Sequence, residues 1–325
     1  MTPSKKMRFK NPHVTGEKKN LLNAFLWLIG FYNDTKCLPT IPNDFQYPNP
    51  LSPLKPQSPR ITWVNHSTFI IELENRRILT DPIWSQRCGP FNLLGPKRHF
   101  QPPIPIKKLQ NIDYVLMSHN HYDHLDKRTV LELHALFPQI VWIVPFRLKK
   151  WFIKKKIHNV IELNWWESTS VPLGQNTSLK ITAVPAQHQS GRHLFDYNHS
   201  LWSGFVVQSQ TPVPKTFYFA GDTGYNDHDF KAIGQAFPNI DLSLIPLGAY
   251  IPRSIMKSMH INPFEAALIH QEVGSNLSIG MHWHTFRLSG EKLKRPPYDL
   301  YMALKKLKDD PLNFRILNPG QTLNW

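Results

Sequence analysis

The sequence predicts an α+β fold in which β-strands dominate and helices are interspersed. Three observations carry this expectation. From residue 60 onward, short runs of β-branched and aromatic residues recur at a regular cadence. Between them, a few segments switch to helical spacing with capping residues at their starts. Histidines and aspartates capable of binding metal sit where several strands stop, the usual place for chemistry on a rigid scaffold.

In chain order, "ITWVNHSTFIIEL" alternates like a half-buried strand, and "RRILTDP" is a strand ending in a turn. "IDYVLMSH" is a strand that runs straight into "SHNHYDHLD". "DKRTVLELHALF" reads as a helix, with Asp126 as N-cap and Val130, Leu131, Leu133 and Leu136 apolar. "QIVWIVP", "NVIEL", "SLKITAVPA", "SLWSGFVVQ", "KTFYFAGD", "DLSLIPLGA" and "LSIGMHW" follow as strands, with helices over roughly 227–237 and 263–273. No repeat of fixed period is visible.

The chain divides into residues 1–59 and a folded domain over 60–325. Residues 1–20 are basic and polar and read as a loosely packed arm. "LLNAFLWLIGFY" (Leu21 to Tyr32) reads as a short amphipathic helix docked on the domain or on a membrane surface. Residues 38–59 are proline-dense and form an extended connector.

Hydrophobic content of 41% and aromatic content of 12% exclude a disordered composition. No apolar run reaches the length of a bilayer-spanning helix. Cys37 and Cys88 allow one disulfide but no disulfide framework, so a reducing compartment is the simpler expectation. The formal net charge of +15 favours anionic partners: acidic lipids, nucleic acid or phosphorylated substrates.

The densest chemistry is "SHNHYDHLD". In an extended or irregular turn, residues i and i+2 point to the same side, so His119 and His121 can grip one ion. Asp123 and His124, at the helix entrance, can reach a second. Imidazole and carboxylate suit zinc and related first-row metals. One turn cannot fill two coordination shells, and single ligands downstream match what is missing: His188 in "PAQHQSGR", His282 in "GMHWHTF" and Asp222 in the glycine-flanked turn "FAGDTGY". Asp222 could bridge two ions about 3.5–4 Å apart, the spacing of two-metal sites. A lone histidine at a strand end is more often a satisfied structural residue. The H-x-H-x-D-H spacing is what separates this cluster from that reading.

This pattern resembles the metallo-β-lactamase superfamily. The blocks "TWVNHSTFIIEL", "LTDPIWSQRCGP", "GPKRH", "SHNHYDHLD", "VIELNWWE", "PAQHQSGR", "FAGDTGY", "IPLGAYIPR", "HINPFEA" and "HWHTF" narrow the resemblance to the family of N-acylphosphatidylethanolamine-hydrolysing phospholipase D, over roughly 60–287. The resemblance implies a four-layer αββα sandwich. It assigns His119, His121 and His188 to one zinc, Asp123, His124 and His282 to the other, and Asp222 as the bridge. It places His260 of "HINPFEA" near the metals and Tyr122, Arg192 and Arg253 inside matched blocks as candidate phosphate contacts, with capping or packing as their alternative. Two departures bear on substrate preference: His284 stands where the family shows glycine, and "QSGR" follows His188 where the animal enzyme has bulkier residues.

The resulting expectation is a phosphodiesterase with two Zn2+, cleaving N-acylphosphatidylethanolamine to N-acylethanolamine and phosphatidic acid. Catalytic work falls to Asp123, Asp222 and His260, the last or a metal-bound water protonating the leaving group. The partner is phospholipid, met at the cytoplasmic membrane surface by peripheral contact, for which "RLKKWFIKKKIH" offers a basic, aromatic-bearing helix. Nucleic acid is not expected, and a homodimer is admitted. The competing readings are a nuclease or cyclic-nucleotide phosphodiesterase, a lactonase on the same scaffold, and a membrane-associated binding protein with structural metals.

Overall fold

The computed structural model describes residues 7–14, 38–49, 59–174, 177–193 and 195–325. The expected apolar helix at Leu21–Tyr32, and Cys37, lie outside the described residues.

Strands β1 (Arg60–Asn65), β2 (Thr68–Leu73), β3 (Arg76–Thr80), β4 (Tyr114–Leu116), β5 (Val141–Pro145) and β6 (Val160–Leu163) form the first sheet. Strands β7 (Ser168–Gly174), β8 (Thr177–Val184), β9 (Gly204–Gln210), β10 (Thr216–Phe219), β11 (Ile240–Pro246), β12 (Ser275–Met281) and β13 (Phe314–Arg315) form the second. The last strand, β14 (Thr322–Asn324), returns to the first sheet and pairs antiparallel with β1. Each sheet begins antiparallel and turns parallel: β3 to β6 in one, β10 to β13 in the other. This repetition of halves is carried by topology, which explains why no fixed period marks it in the sequence.

Helices α1 (Lys127–Leu136) and α2 (Lys149–Ile153) belong to the first half; α3 (Asp229–Ala236), α4 (Arg253–Met256), α5 (Pro263–Glu272) and α6 (Pro296–Leu307) to the second. Period-two alternation sorts the first sheet's side chains into two layers. Ile78, Tyr114, Leu116 and Ile143 face a core shared with the second sheet, including Ile181, Val207 and Phe217. Leu79, Val115, Met117, Trp142 and Val144 face the opposite way, onto Val130 and Leu133 of α1 and Phe152 of α2. Leu300 and Leu304 of α6 and Ile269 of α5 close the main core on the second-sheet side. The fold is the expected αββα sandwich.

Several elements differ from the sequence expectation. "ITWVNHSTFIIEL" is two strands, folded back at His66 and Ser67. Asp126 precedes α1, but its carboxylate makes no capping bond; it accepts from Thr129 Oγ1, the Ser85 N–H and Asn92 Nδ2 instead. On α1, Val130 and Leu133 are buried while Leu131 and Leu136 stay exposed. The basic helix α2 spans only five residues, with Phe152 in the core and Trp151 under the Lys155 ammonium, too short for an interfacial helix. Helix α6 was not expected, although Pro296 and Pro297 at its start and Leu300, Ala303, Leu304 and Leu307 at helical spacing signal it.

The expectation of a loosely packed arm does not hold for residues 7–14. The Phe9 N–H donates to the Asn198 carbonyl, Arg147 reaches the Met7 carbonyl, and Phe9 packs edge-on to Phe146. Residues 38–49 run without regular structure, Tyr47 and Asn49 donating to the Phe314 and Ile316 carbonyls. No helix among the described residues is long and apolar enough to cross a membrane.

Candidate metal centre

The loop after β4 carries His119 to Asp126. His188 follows β8, Asp222 follows β10, and His282 follows β12. Each of these strand ends lies on the same edge of the sandwich, so residues far apart in sequence meet. Two glycines permit the approach. Gly221 has φ of +63°, and a Cβ there would sit 2.7 Å from Ser118 Cβ. A Cβ on Gly248 would lie 2.2 Å from the His282 carbonyl oxygen.

The seven candidate ligands fall into two groups joined by one carboxylate. His119 Nε2 and His188 Nε2 lie 2.8 and 3.2 Å from His121 Nδ1. Asp123 Oδ2 lies 3.4 Å from both His124 Nε2 and His282 Nε2. Asp222 Oδ2 is 3.1 Å from His124 Nε2 and His282 Nε2, 3.8 Å from His188 Nε2 and 4.0 Å from His119 Nε2. Donors about 2.0–2.1 Å from one tetrahedral zinc lie roughly 3.3 Å from each other, which is the scale of these separations. Within this buried cluster, His124 Nε2, His282 Nε2, Asp222 Oδ1 and His260 Nδ1 find no hydrogen-bond partner. Buried, convergent polar atoms left without partners are what a metal ion would satisfy, so the residues fit the group.

The opposite ring edges are anchored. His124 Nδ1 donates to Asp81 Oδ2 at 2.6 Å, and His188 Nδ1 to the Met259 carbonyl at 2.8 Å. Ser118 Oγ stands 2.9 Å from His119 Nδ1 and donates to Asp81 at 2.5 Å. Fixing Nδ1–H in this way presents a bare Nε2, the tautomer a ligand needs.

The electrostatics of the metal-free cluster point the same way. Burial pushes the two carboxylates up, but His124 outweighs it, helped by His282, and both Asp123 and Asp222 end well below the usual carboxylate range. Burial pushes His282 down, yet Asp222 and Asp123 hold it up at about 9; His124 is likewise raised, by Asp222, Asp123 and Asp81. Burial takes His121 down to about 4 and His188 to about 3, and lowers His119 strongly with help from its histidine neighbours. Two anionic carboxylates thus hold protons on His124 and His282, where a divalent ion would supply the same charge, while the other three imidazoles stand neutral.

His260 has Nδ1 3.9 Å from Asp222 Oδ2 and its ring stands 5.1 Å from His188. Only His121, Asp123 and His260 keep partial exposure, so the mouth of the site opens on their side. The other candidates are engaged elsewhere. Arg192 donates to the Asn120 and Leu125 carbonyls, with Tyr122 stacked beneath it and donating to its carbonyl. Arg253 forks onto Glu265 and donates to the His260 carbonyl. These three serve packing in this state, the alternative already open to them. His284 stacks on Phe100 and Trp283, outside the cluster.

Three residues were missed. His66, at the β1–β2 turn, places Nε2 3.1 Å from Asp123 Oδ2 and its ring 4.1 Å from His282. It is the residue of "TWVNHSTF" that follows the strand, the signal used for the other histidines. Like His282, whose N–H donates to the His66 carbonyl, it has a positive φ. Asp81, in "LTDP", orients His124 and Ser118. Asn11 brackets the backbone of His188 from the N-terminal segment.

A model of the beta-lactamase superfamily domain matches residues 76–283. The chain is 41% identical over 254 residues to N-acyl-phosphatidylethanolamine-hydrolyzing phospholipase D 1 of Caenorhabditis elegans, covering 77% of this chain and 70% of that one. It is 39% identical over 243 residues to the mitochondrial N-acyl-phosphatidylethanolamine-hydrolyzing phospholipase D of Saccharomyces cerevisiae, covering 74% of this chain and 51% of the yeast protein. Among solved structures, a metallo hydrolase of Ignicoccus hospitalis superposes with TM-score 0.62 at 19% identity, covering 83% of this chain and 99% of that one. An isothiocyanate hydrolase from Delia radicum gut bacteria gives TM-score 0.62 at 16% identity, covering 82% and 99%. Both show the same fold.

Proposed function

The chain belongs to the beta-lactamase superfamily and, within it, to the N-acylphosphatidylethanolamine-hydrolysing phospholipase D family of metal-dependent hydrolases; from that premise we propose that it is a di-zinc phosphodiesterase that cleaves N-acylphosphatidylethanolamine to N-acylethanolamine and phosphatidic acid. One zinc would be held by His119, His121 and His188 and the other by Asp123, His124 and His282, with the Asp222 carboxylate available to both groups. The observation that carries this reading is Asp222 Oδ2, within 3.1–4.0 Å of ligand nitrogens from both groups.

When bound, the ions supply Lewis acidity: a nucleophile from water near neutral pH, and neutralisation of charge developing on the phosphoryl oxygens. The chain's own residues do the positioning. Asp81, Ser118 and Met259 lock three imidazoles in the ligating tautomer. Asp222, anionic and buried, would orient the attacking water. Burial holds His260 down at about 3, and added positive charge lowers it further. This favours the neutral imidazole in the metal-free protein, as a hydrogen-bonding group at the mouth of the site.

Phospholipid as substrate is further supported by charge beside the ligand loop. Lys155 is lowered by burial and by the nearby cations Lys127, Arg192 and Lys154. Such a cluster favours approach to an anionic lipid interface by peripheral contact.

The test is metal analysis paired with N-acylphosphatidylethanolamine hydrolysis for wild type and Asp222→Asn. About two zinc equivalents are expected in wild type, by two-metal logic, with turnover lost in the variant. Full activity in Asp222→Asn removes Asp222 from the mechanism. Cleavage of RNA or a lactone in place of the lipid overturns the substrate assignment.

A further inference from the structure

A second set of metal-capable side chains lies away from the centre, where residues 7–14 meet the start of α3. His13 Nε2 stands 3.4 Å from Asp229 Oδ1, and His228 Nδ1 stands 3.8 Å from the same oxygen. The two imidazoles stack, with centroids 4.0 Å apart and planes inclined at 22°. All three ligand atoms fall within 4.8 Å of one another. Neither nitrogen forms a hydrogen bond to the carboxylate at these separations. Three donors converge on a point without satisfying each other.

The carboxylate is aimed in advance. Asp229 is buried, its Oδ2 accepts from Asn226 Nδ2 at 2.9 Å, and its backbone N–H donates to Asn226 Oδ1 at 2.8 Å. Oδ1 is left turned towards the two histidines. Two imidazoles and one carboxylate make a donor set suited to zinc-class ions, with the remaining positions left to water.

We propose that His13, His228 and Asp229 form a peripheral binding site for a divalent first-row metal ion, separate from the catalytic cluster, that fastens the N-terminal segment to the body of the protein. The ligands come from segments more than two hundred residues apart in sequence, so one ion closes that loop. Both histidines are exposed, so the ion exchanges with solvent more readily than ions held by the buried catalytic ligands. The segment that it fastens also carries Asn11, which holds the backbone of His188.

The test uses the full chain and zinc chloride alone. Zinc uptake is titrated for wild type, His13→Ala and His228→Ala, with backbone amide exchange of residues 9–13 followed with and without zinc. Wild type should take up one equivalent more than either variant, in a weak final phase. Zinc should slow exchange in the segment by at least about tenfold in wild type and leave it unchanged in His228→Ala. Lipid hydrolysis should be the same in wild type and His228→Ala. Equal stoichiometry in wild type and His228→Ala, or equal protection of the segment, overturns the site. Because the readout is a difference between chains sharing the same central ligands, it stands whether or not the catalytic assignment does.

Discussion

Asn11 pairs its side-chain amide with both backbone groups of His188: Nδ2 donates to the carbonyl at 2.9 Å, and Oδ1 accepts the N–H at 3.1 Å. Among its described residues, the stretch from Ala186 to Ser203 has only the isolated bridge of Gln187 to Gly224 and no regular strand or helix, so this clamp stands in for the ladder that a strand would provide. Asn11→Ala should cost about 1–2 kcal/mol of stability, the scale of two partly buried hydrogen bonds. A chelator should then strip one metal equivalent faster while the other leaves at the wild-type rate. Two equivalents lost at the wild-type rate would leave Asn11 with a purely structural role.

Zinc uptake should release protons unequally from the two groups. His282, held up at about 9, and His124, also raised, carry protons in the metal-free protein at neutral pH. His121 and His188, held down at about 4 and 3, do not. Filling both sites at pH 7.5 should therefore release about two protons per chain, and the number should fall as pH is raised past 9. Calorimetry in buffers of different ionisation enthalpy measures it.

The metal-free protein should lose stability on acidification below about pH 6.5. There the unfolded chain protonates its histidines, while folded His66, His121 and His188 stay neutral until about 3 to 4. The unfolded state binds more protons across that window, so each step down in pH favours it. His282 acts in the other direction: its stabilising contribution is complete below its unfolded value and is lost as pH rises through about 9. Denaturant midpoints between pH 4 and 10 should trace a dome, flattened when zinc is present.

Asp81 touches no candidate ligand atom directly, yet its carboxylate binds His124 Nδ1, Ser118 Oγ and the Ser118 N–H. Asp81→Asn keeps the shape and removes the charge. Zinc affinity of the Asp123–His124–His282 group should fall about 10- to 100-fold, the usual cost of losing an outer-shell carboxylate. Competition with a chromophoric chelator reads this out, and unchanged affinity would show that the Asp81 carboxylate does not tune that group.

The convergence of His119, His121, Asp123, His124, His188, Asp222 and His282 was legible because residue type, close spacing and strand-end position all mark them in one dimension. His66, Asp81 and Asn11 were not. Their roles depend on which loops the two sheets bring together, and each by itself looks like an ordinary turn residue. Secondary structure follows the same division. β8 and β11 are long runs in which apolar and polar residues alternate. The edge strand β7 carries Pro172 and Gly174, and β14 is three residues long, so pairing with a neighbour defines them more than composition does.

The return of β14 to β1 has a consequence for synthesis. Thr62 and Thr322 face each other across the pair though 260 positions separate them. Until β14 leaves the ribosome, that side of β1 lacks its partner and is able to pair with a neighbouring nascent chain. The first half of the molecule can collapse early, but its sheet is finished only once β14 has been made. Chaperone dependence should accordingly persist until β14 has emerged, and refolding should wait on this long-range closure.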